Sequence, residues 1–468
     1  MINADKPVRV AISGKHHAAL KQHLFPGDGK EAVAFCLCGR ARREDLDLLT
    51  VREVVPILYD DCRIRTPHRV TWSGEALEPA LNRAAAENWA LVKVHSHPTG
   101  YPWFSDTDDI AEADLFPSIF GWLDSEAPLA SMIMLPDGML VGRAVQAPGG
   151  GERMDCIRLV GDDFVFWLSA SNEPETTPEH ATRVAQAFGD ETYRLLRALR
   201  IGVVGCSGTG SIVIEQLARN CVGELILVDH DQVEHKNLNR ILNSTWADAE
   251  QKRPKPWVMK RAIDLMGFST KVHSIDSDLM NLAALKALST CDILFGCMDS
   301  IDGRHVLNKL ASAYLIPLID VGVLLEADGM GGIDSIWTAV HTVLPGGSSL
   351  LSRRLYSQSD LDAAFLKRSN PVAYEEQRKS GYIKGIRVDR PAVISVNMTA
   401  SAAAVNELLA RLHPYRFKPN GSFAIRRICL SDGVASSDEP DGDACPVMRR
   451  WVGVGDQEPF LGIMGLEG

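Results

Sequence analysis

The chain has 468 residues and a formal net charge of −11, from 49 basic and 60 acidic side chains. This length exceeds what one hydrophobic core supports and suits two or three domains. The apolar content of 46% is that of an ordinary globular protein. Because the net charge is negative, the sequence as a whole offers a nucleic-acid partner no electrostatic support, and we expect none.

The sequence also argues against a membrane or secreted protein. No apolar run approaches the roughly 20 residues that cross a bilayer, and the first residues lack the basic and apolar segments of a signal peptide. The ten cysteines are scattered among apolar neighbours and form no regular framework. This spacing is typical of reduced thiols and predicts a cytoplasmic protein.

Strand and helix patterns divide the chain into two α/β modules. Apolar runs at 32–39 and 90–95 predict buried strands in the first module. From Arg200 the order strand, glycine loop, helix, strand predicts a mostly parallel sheet in a Rossmann-like module. The tail is rich in Gly, Asp, Ser and Pro, and we expect disorder at 436–443. We assign the first module, a linker, the second module and the tail to residues 1–150, 151–180, 181–415 and 416–468.

Two histidines and an aspartate in the first module have the spacing of a metal site. His95 and His97 alternate at the end of a predicted strand, so both side chains project from one face. Ser105 has the position of a helix N-cap, which places Asp108 in the first helical turn. Two imidazoles and one carboxylate leave a fourth tetrahedral position for water, as in catalytic zinc sites. Glu31, at the start of another strand, is the candidate general base.

This set resembles the JAMM (MPN⁺) metalloprotease family, which has a Glu before an apolar strand, then His-x-His-Pro, then Ser-x-x-Asp. The resemblance covers roughly residues 8–146 and implies a JAMM/MPN α/β domain of the cytidine-deaminase-like kind. It implies that His95, His97 and Asp108 bind Zn²⁺. Glu31 would act as general base and acid, and Ser105 would help to hold the oxyanion. Members of this family cleave the bond after the C-terminal glycine of ubiquitin-like proteins.

A glycine loop opens the second module. Gly205, Gly208 and Gly210 follow a predicted strand and precede a helix, so the backbone can approach phosphate oxygens at a helix N-terminus. Asp229 ends the next strand, where an acceptor for ribose hydroxyls is expected. The glycine loop alone suits NAD as well as ATP.

The residues from Asp229 to Arg240 resemble the Asp-x-Asp-x-Val-x-x-x-Asn-Leu-x-Arg signature of the ThiF/MoeB and ubiquitin-activating superfamily. The resemblance spans about residues 181–415 and implies adenylation with ATP and Mg²⁺. By that match Asn237, Arg240 and Lys255 contact the triphosphate. The whole implied nucleotide site consists of Gly205, Gly208, Gly210, Asp229 (ribose), Asp231, Asn237, Arg240, Lys255 and Asp299 (magnesium).

The same resemblance implies a homodimer in which Arg183 reaches the partner's nucleotide site. Superfamily members that form a thioester need a cysteine, but here Ser349 and Ser352 occupy the expected region. Three explanations stay open. The enzyme adenylates without a thioester step, Ser349 replaces a nucleophile as an engineered trap, or Cys429 or Cys445 serves as nucleophile from a mobile tail.

The two resemblances together predict a bifunctional enzyme of a bacterial ubiquitin-like conjugation system, some of which are linked to antiviral defence. Its expected partner is a ubiquitin-like β-grasp protein ending in Gly-Gly, with a conjugating-enzyme-like protein as a possible second partner. A sulfur-carrier protein of the thiamine or molybdopterin type is the alternative substrate. A non-catalytic scaffold that binds a ubiquitin-like fold twice is the third hypothesis.

Overall fold

A computed structural model describes residues 6–147, 150–169, 177–327, 330, 332–380, 392–433, 435–463 and 466. The chain forms two compact units. The first contains Met1–Pro174, Ala313–Leu315 and Trp451–Gly462, and the second contains the remaining residues. Within the described ranges, no helix has both the length and the apolar character that a membrane crossing requires.

The first unit is built on a mixed sheet. Its strands are β1 (Val8–Ser13), β2 (Val33–Arg42), β3 (Asp47–Pro56), β4 (Cys62–Thr66), β5 (Arg69–Trp72), β6 (Ala90–Ser96), β7 (Leu129–Met134), β8 (Leu140–Gln146), β9 (Gly150–Arg153), β10 (Cys156–Val160) and β11 (Phe164–Leu168). Its helices are α1 (Gly14–Leu24), α2 (Glu78–Ala86) and α3 (Asp106–Leu123). Among the described residues the sheet has nine strands in the order β11-β10-β1-β3-β2-β6-β7-β8-β9, and β4 and β5 form a separate hairpin.

Residues 151–168 do not belong to a linker, contrary to the sequence-based assignment. They contribute most of β9 and all of β10 and β11 to the first sheet, where β10 pairs in parallel with β1. Met154 and Ile157 join the same buried core as β2 and β6. Local sequence did not predict this placement, because long-range strand pairing decides where these residues lie. The predicted linker residues 170–176 lie outside the described part of the chain.

The second unit contains the nucleotide-type sheet that the sequence predicts. Its strands are β12 (Arg200–Val204), β13 (Glu224–Val228), β14 (Lys271–Ile275), β15 (Ile293–Gly296), β16 (Leu318–Ala327), β17 (Ile333–Val343), β18 (Ile425–Cys429) and β19 (Ala435–Glu439). Its helices are α4 (Thr182–Phe188), α5 (Asp190–Ala198), α6 (Gly210–Arg219), α7 (Trp246–Glu250), α8 (Lys255–Met266), α9 (Leu282–Leu288), α10 (Ile301–Ala313), α11 (Gln358–Ser369), α12 (Pro371–Lys379), α13 (Ile394–Leu412) and α14 (Pro446–Arg449).

The strand order of the described residues in this sheet is β14-β13-β12-β15-β16-β17-β18-β19. The strands from β14 to β16 are parallel, and β17, β18 and β19 extend the sheet in antiparallel fashion. The order reverses between β12 and β15, so their carboxyl ends border the crevice where such sheets bind ligands. The Rossmann-like α/β prediction is thus confirmed, with a larger antiparallel share than expected.

The expected disorder at 436–443 is wrong for the strand residues. β19 pairs with β18 in antiparallel register, and Asp438 forms an ion pair with Arg426 across the two strands. Few apolar residues mark this segment, so composition alone favoured disorder. Backbone hydrogen bonds to a sheet edge supply the ordering that its composition does not predict.

Candidate active sites

The predicted metal residues of the first unit come together at the end of β6. His95 Nε2 lies 3.1 Å from His97 Nε2. The Asp108 carboxylate reaches both rings, at 3.0 Å from His95 Nε2 and 3.5 Å from His97 Nε2. Local sequence explains this meeting, because alternate residues of one strand share a face and the capped helix α3 starts with Asp108 in its first turn.

The spacing of these atoms fits a zinc ion. Zinc–nitrogen bonds of about 2.0–2.1 Å at tetrahedral angles place ligand atoms about 3.3 Å apart. The two histidine Nε2 atoms lie 3.1 Å apart, Asp108 Oδ1 lies 3.0 Å from His95 Nε2, and Asp108 Oδ2 lies 3.5 Å from His97 Nε2. One nitrogen from each ring and one carboxylate oxygen thus all lie within 4.8 Å of one another. Two imidazole nitrogens and a carboxylate oxygen are also the donor types that catalytic zinc sites use. The residues present therefore fit the implied metal.

Neighbouring polar groups orient two of these side chains. The backbone N–H and the hydroxyl of Ser105 both donate to Asp108 Oδ2, at 2.8 and 2.7 Å. His97 Nδ1 lies 2.8 Å from the Tyr101 carbonyl oxygen, which holds Nε2 toward the other two donors. Such contacts set the tautomer and direction of metal-binding histidines and carboxylates. The predicted N-cap role of Ser105 is confirmed.

Glu31 lies beside this cluster because β2 and β6 are antiparallel neighbours. Val33, two residues after Glu31, pairs with His95. Burial raises the pKa of Glu31 to about 7, although the nearby His97 lowers it. A carboxyl group with this pKa exchanges protons near neutral pH, as a general acid and base must.

Burial and charge also shift the other groups of the cluster. Burial lowers the pKa of His95 to about 4, so the ring is neutral and its nitrogen can act as a ligand. Although burial raises the pKa of Asp108, its hydrogen bonds to His95 and His97 outweigh this effect and hold it well below the usual range. Burial lowers the pKa of His97, but its hydrogen bonds to Asp108 and the Tyr101 carbonyl outweigh this effect and raise it overall, so zinc binding would favour loss of a proton from this ring.

The glycine loop of the second unit packs closely against the turn after β15. Gly205 has a φ of +93°, and a Cβ there would lie 2.5 Å from the Cys297 carbonyl oxygen. A Cβ on Gly210 would lie 1.7 Å from the Gly205 carbonyl oxygen. Only glycine fits at these two positions, and the loop leads directly into α6 at Gly210. The loop thus borders the crevice where the strand order reverses.

Acidic residues after β13 connect this loop to α8. Asp229 accepts hydrogen bonds from the backbone N–H of Cys206 at 2.7 Å and of Asp231 at 2.8 Å. The buried Lys255 donates to Asp231 Oδ2 at 2.6 Å. Burial raises the pKa of Asp229, while Lys255 opposes this effect. The structure therefore brings Asp229, Asp231 and Lys255 to one edge of the sheet.

Arg240 lies over the glycine loop. Its side-chain Cδ is 3.2 Å from the position of a Cβ on Gly208, and its Nη1 donates to the Lys236 carbonyl oxygen at 2.8 Å. Asn237 is buried and its Oδ1 accepts the Glu234 N–H at 3.1 Å, so it shapes the turn that presents Arg240. Of the signature residues, Arg240 thus lies next to the glycine loop, and the contact of Asn237, Arg240 and Lys255 with a triphosphate stays a prediction.

The last two residues of the predicted nucleotide site, Asp299 and Arg183, are both exposed, and Asp299 lies near the glycine loop. Asp299 is exposed in the turn after β15, two residues beyond the Cys297 carbonyl that meets Gly205. Its carboxylate is a suitable oxygen ligand for Mg²⁺ at this crevice. Arg183 is exposed on α4 and contacts Gln186 on the same helix, at 3.1 Å. Its role in a partner's site stays a prediction.

The region expected to hold a thioester cysteine is a closed turn. Ser349 N donates to Ser352 Oγ at 2.8 Å, and Ser352 N donates to Ser349 Oγ at 3.1 Å. Ser349 is only 1% exposed. The turn also contacts the C-terminal segment, since Cys445 N donates to the Gly347 carbonyl oxygen at 3.0 Å. Both alternative nucleophiles, Cys445 and Cys429, are buried, and Cys429 ends strand β18, which argues against a nucleophile on a mobile tail.

Sequence reasoning missed several residues at both sites. One of them is Asn397 on α13, whose Nδ2 lies 2.4 Å from the position that a Cβ on Gly208 would take. In the first unit, Lys93 and Glu112 form a buried ion pair of 2.8 Å. A lysine inside the apolar run of β6 was the available signal, because such a charge is buried only with a partner.

The sheet order, the glycine loop and the acidic and basic residues around it define a nucleotide-binding α/β domain. A family model described as the ThiF family matches residues 180–426. This is more than half of the chain, and the protein belongs to the ThiF family.

Several curated proteins are similar to the same region. Ubiquitin-like modifier-activating enzyme 5 of Oryza sativa subsp. japonica is 24% identical over 49% of this chain and 56% of its own length. Adenylyltransferase and sulfurtransferase MOCS3 of Caenorhabditis briggsae is 24% identical over 35% of this chain and 40% of its own length. The chain thus spans about half, or less, of the curated relatives that it matches. Among solved structures, E. coli MccB with succinimide is 18% identical, with a TM-score of 0.44 over 60% of this chain and 75% of that one.

Proposed function

We propose that the protein is an ATP-dependent adenylating enzyme for the C-terminal glycine of a ubiquitin-like protein, with a JAMM-type zinc isopeptidase site in its first unit. One observation carries the adenylating part: Lys255, Asp231, Asp229 and the glycine loop form a connected set of hydrogen bonds at the strand-order reversal of a ThiF-family domain. The cluster of His95, His97 and Asp108 supports the second activity.

In the adenylating reaction a substrate carboxylate oxygen attacks the α-phosphorus of ATP. A new oxygen–phosphorus bond forms and the bond to pyrophosphate breaks. Arg240 and Lys255 lie beside the loop that would receive the phosphates and can stabilise their growing negative charge. Mg²⁺, when bound at Asp299, would neutralise phosphate charge.

The buried state of the cysteines favours adenylation without a thioester step. Of the ten cysteines, all within the described ranges, only Cys62 is partly exposed, and it lies in the first unit. Burial raises the pKa of Cys206 and Cys297, which lie beside the nucleotide crevice, so neither is a ready thiolate. The acyl-adenylate would then pass directly to an acceptor or to a separate conjugating protein.

In the hydrolytic reaction water attacks the carbonyl carbon of the glycine bond. Glu31 would accept a proton from the water and return it to the departing amine. Zn²⁺, when held by His95, His97 and Asp108, would lower the pKa of the water and polarise the carbonyl. The resemblance implies that Ser105 supports the oxyanion; its hydroxyl, which donates to Asp108 Oδ2, would have to turn toward the oxyanion to do so.

The adenylating proposal is tested by ATP–pyrophosphate exchange with a β-grasp protein ending in Gly-Gly. We expect exchange only when the intact Gly-Gly end is present, and a partner lacking both glycines is the control. Exchange that is independent of the glycines, or absent with every Gly-Gly partner encoded near this gene, would contradict the proposal. The neighbouring genes also test the predicted setting in antiviral defence.

The isopeptidase proposal is tested by metal content and cleavage of a ubiquitin-like fusion. We expect one zinc per chain, lost in Asp108→Ala and retained in Asp114→Ala, which removes an exposed carboxylate from the same helix. A protein that binds zinc but cleaves no glycine-linked fusion would instead support the non-catalytic scaffold.

A sulfur-carrier substrate is the second candidate, favoured by the similarity to a relative named adenylyltransferase and sulfurtransferase. Mass spectrometry of the carrier after incubation with ATP and a sulfur donor distinguishes a sulfur-carrier substrate from a ubiquitin-like protein that is conjugated. A thiocarboxylate end indicates sulfur transfer, whereas an amide-linked product indicates conjugation.

A further inference from the structure

A buried carboxylate on α3 is not explained by the proposed reactions. Glu112 is 4% exposed and lies among four hydrogen-bond donors. Its Oε1 accepts from Lys93 Nζ at 2.8 Å and from the Ser131 hydroxyl. Its Oε2 accepts from Arg143 Nε at 3.0 Å and from Arg143 Nη2 at 2.8 Å. Such complete satisfaction of a buried carboxylate requires a fixed geometry around it.

The donors come from three neighbouring strands at one level of the sheet. Lys93 on β6 pairs with Ser131 on β7, and Ser131 pairs with Arg143 on β8. Their side chains therefore form a row across the sheet, and Glu112 binds all three. Arg143 also pairs with Asp109 at 2.6 Å and lies over the Phe104 ring, 4.0 Å from its centroid. The beginning of α3 is thus tied to the sheet at several points.

The contact between Lys93 and Glu112 resembles the contact between His95 and Asp108, displaced by two residues along β6 and by one turn along α3. Lys93 precedes His95 by two residues, so both project from the same face of β6. Glu112 follows Asp108 by four residues, so both lie on the same face of α3. The contacts between Lys93 and Glu112 and between His95 and Asp108 are therefore parallel links between one strand and one helix.

We propose that Glu112, held by Lys93, Ser131 and Arg143, is a positioning residue that fixes the place of α3 so that Asp108 meets the two histidines. This inference rests on the proposed zinc site. A helix that slid or rotated on the sheet would move Asp108 away from His95, and the metal donors alone cannot prevent this before metal binds. Four directional hydrogen bonds to one buried group hold the helix in place in advance.

The test compares zinc affinity with folding stability in the full chain. Glu112→Gln keeps the shape but removes the charge that pairs with Lys93 and Arg143. We expect the zinc Kd, measured by competition with a chromogenic chelator, to rise about 10- to 100-fold. The visible absorption spectrum of the Co²⁺-loaded variant should also shift or broaden, because its ligand geometry is altered. Ser131→Ala removes one donor, should raise the zinc Kd about 2- to 10-fold, and serves if Glu112→Gln does not fold.

Arg43→Gln is the control, because it removes a different arginine–carboxylate pair of the same unit, between Arg43, which directly follows β2, and the exposed Asp456. We expect it to lower the melting temperature without changing zinc affinity or the Co²⁺ spectrum. Equal zinc binding by the Glu112→Gln or Ser131→Ala variants and the wild type overturns the inference. An equal loss in Arg43→Gln also overturns it, since stability would then explain the effect. If the wild type binds no zinc through His95 and Asp108, the proposed metal site itself fails.

Discussion

The two candidate sites are built in different ways. In the first unit, His95, His97 and Asp108 already lie within ligand spacing of one another and are largely buried. In the second unit, Asp231 and Asp299 are exposed, and the backbone of the glycine loop forms one side of the candidate site. A metal demands donors at set distances, whereas a triphosphate is long, flexible and contacted by backbone amides and long side chains. The first site should therefore be more sensitive to small displacements than the second.

The largest effect should come from Glu31→Gln, which removes the proposed proton acceptor without changing the ligands. We expect isopeptidase turnover to fall about 10²- to 10⁴-fold, with zinc content and ATP–pyrophosphate exchange unchanged. Cleavage of a ubiquitin-like fusion, zinc analysis and exchange on one preparation measure all three quantities. Retained cleavage would show that Glu31 is not the base.

Lys255→Ala should affect the second site alone. Removing the buried ammonium group that pairs with Asp231 should lower kcat/KM for ATP–pyrophosphate exchange about 10²- to 10³-fold. Lys260→Ala is the control on the same helix, because Lys260 is more exposed and pairs with Asp264. Equal rates for the two variants would remove Lys255 from the proposed catalytic set, and altered cleavage by the first unit would contradict the separation of the sites.

Similar helix caps in the two units allow a direct test of whether the first site is more sensitive to small displacements than the second. Ser105 caps α3 through Asp108, and Thr245 caps α7 through Asp248, in the same capping-box arrangement. Replacing either cap by alanine should cost about 1 kcal/mol in the free energy of unfolding of its unit. We expect only Ser105→Ala to weaken zinc binding, about 10-fold or more, because its cap partner is a metal ligand. Chelator competition and thermal unfolding of both variants measure this difference.

The last prediction concerns the pH dependence of the stability of the second unit. Hydrogen bonds from Arg261 lower the pKa of Asp248 to about 2 from its ordinary 3.8. A lowered folded-state pKa contributes stability that is present above about pH 4 and is lost as the pH falls through about 2. Asp248→Asn should therefore cost about 1–3 kcal/mol at pH 7, and progressively less below pH 4. Urea unfolding of both proteins at several pH values checks this, and a cost that does not change with pH would rule out the ionic origin.

Much of both sites could be predicted from local sequence. Alternate positions on a strand and the first turn of a capped helix are short-range relations, so the order His95, His97, Ser105, Asp108 predicted a cluster that the structure brings together. The glycine loop and the Asp229 to Arg240 signature were recognisable for the same reason. The closed turn at Ser349 was not predictable, because its buried state depends on contacts with residues nearly a hundred positions away.

The sequence by itself determined the order of the candidate metal ligands and of the signature residues along the chain, and the Rossmann-like pattern of the ThiF-family domain. Only the tertiary structure decided that Lys93, Ser131 and Arg143 meet on Glu112, that 151–168 join the first sheet, and that Trp451–Gly462 return to the first unit. The physical reason is that side-chain periodicity encodes neighbours within a strand or helix turn. Cross-strand register and the docking of distant segments arise from burial and hydrogen bonding across the whole fold.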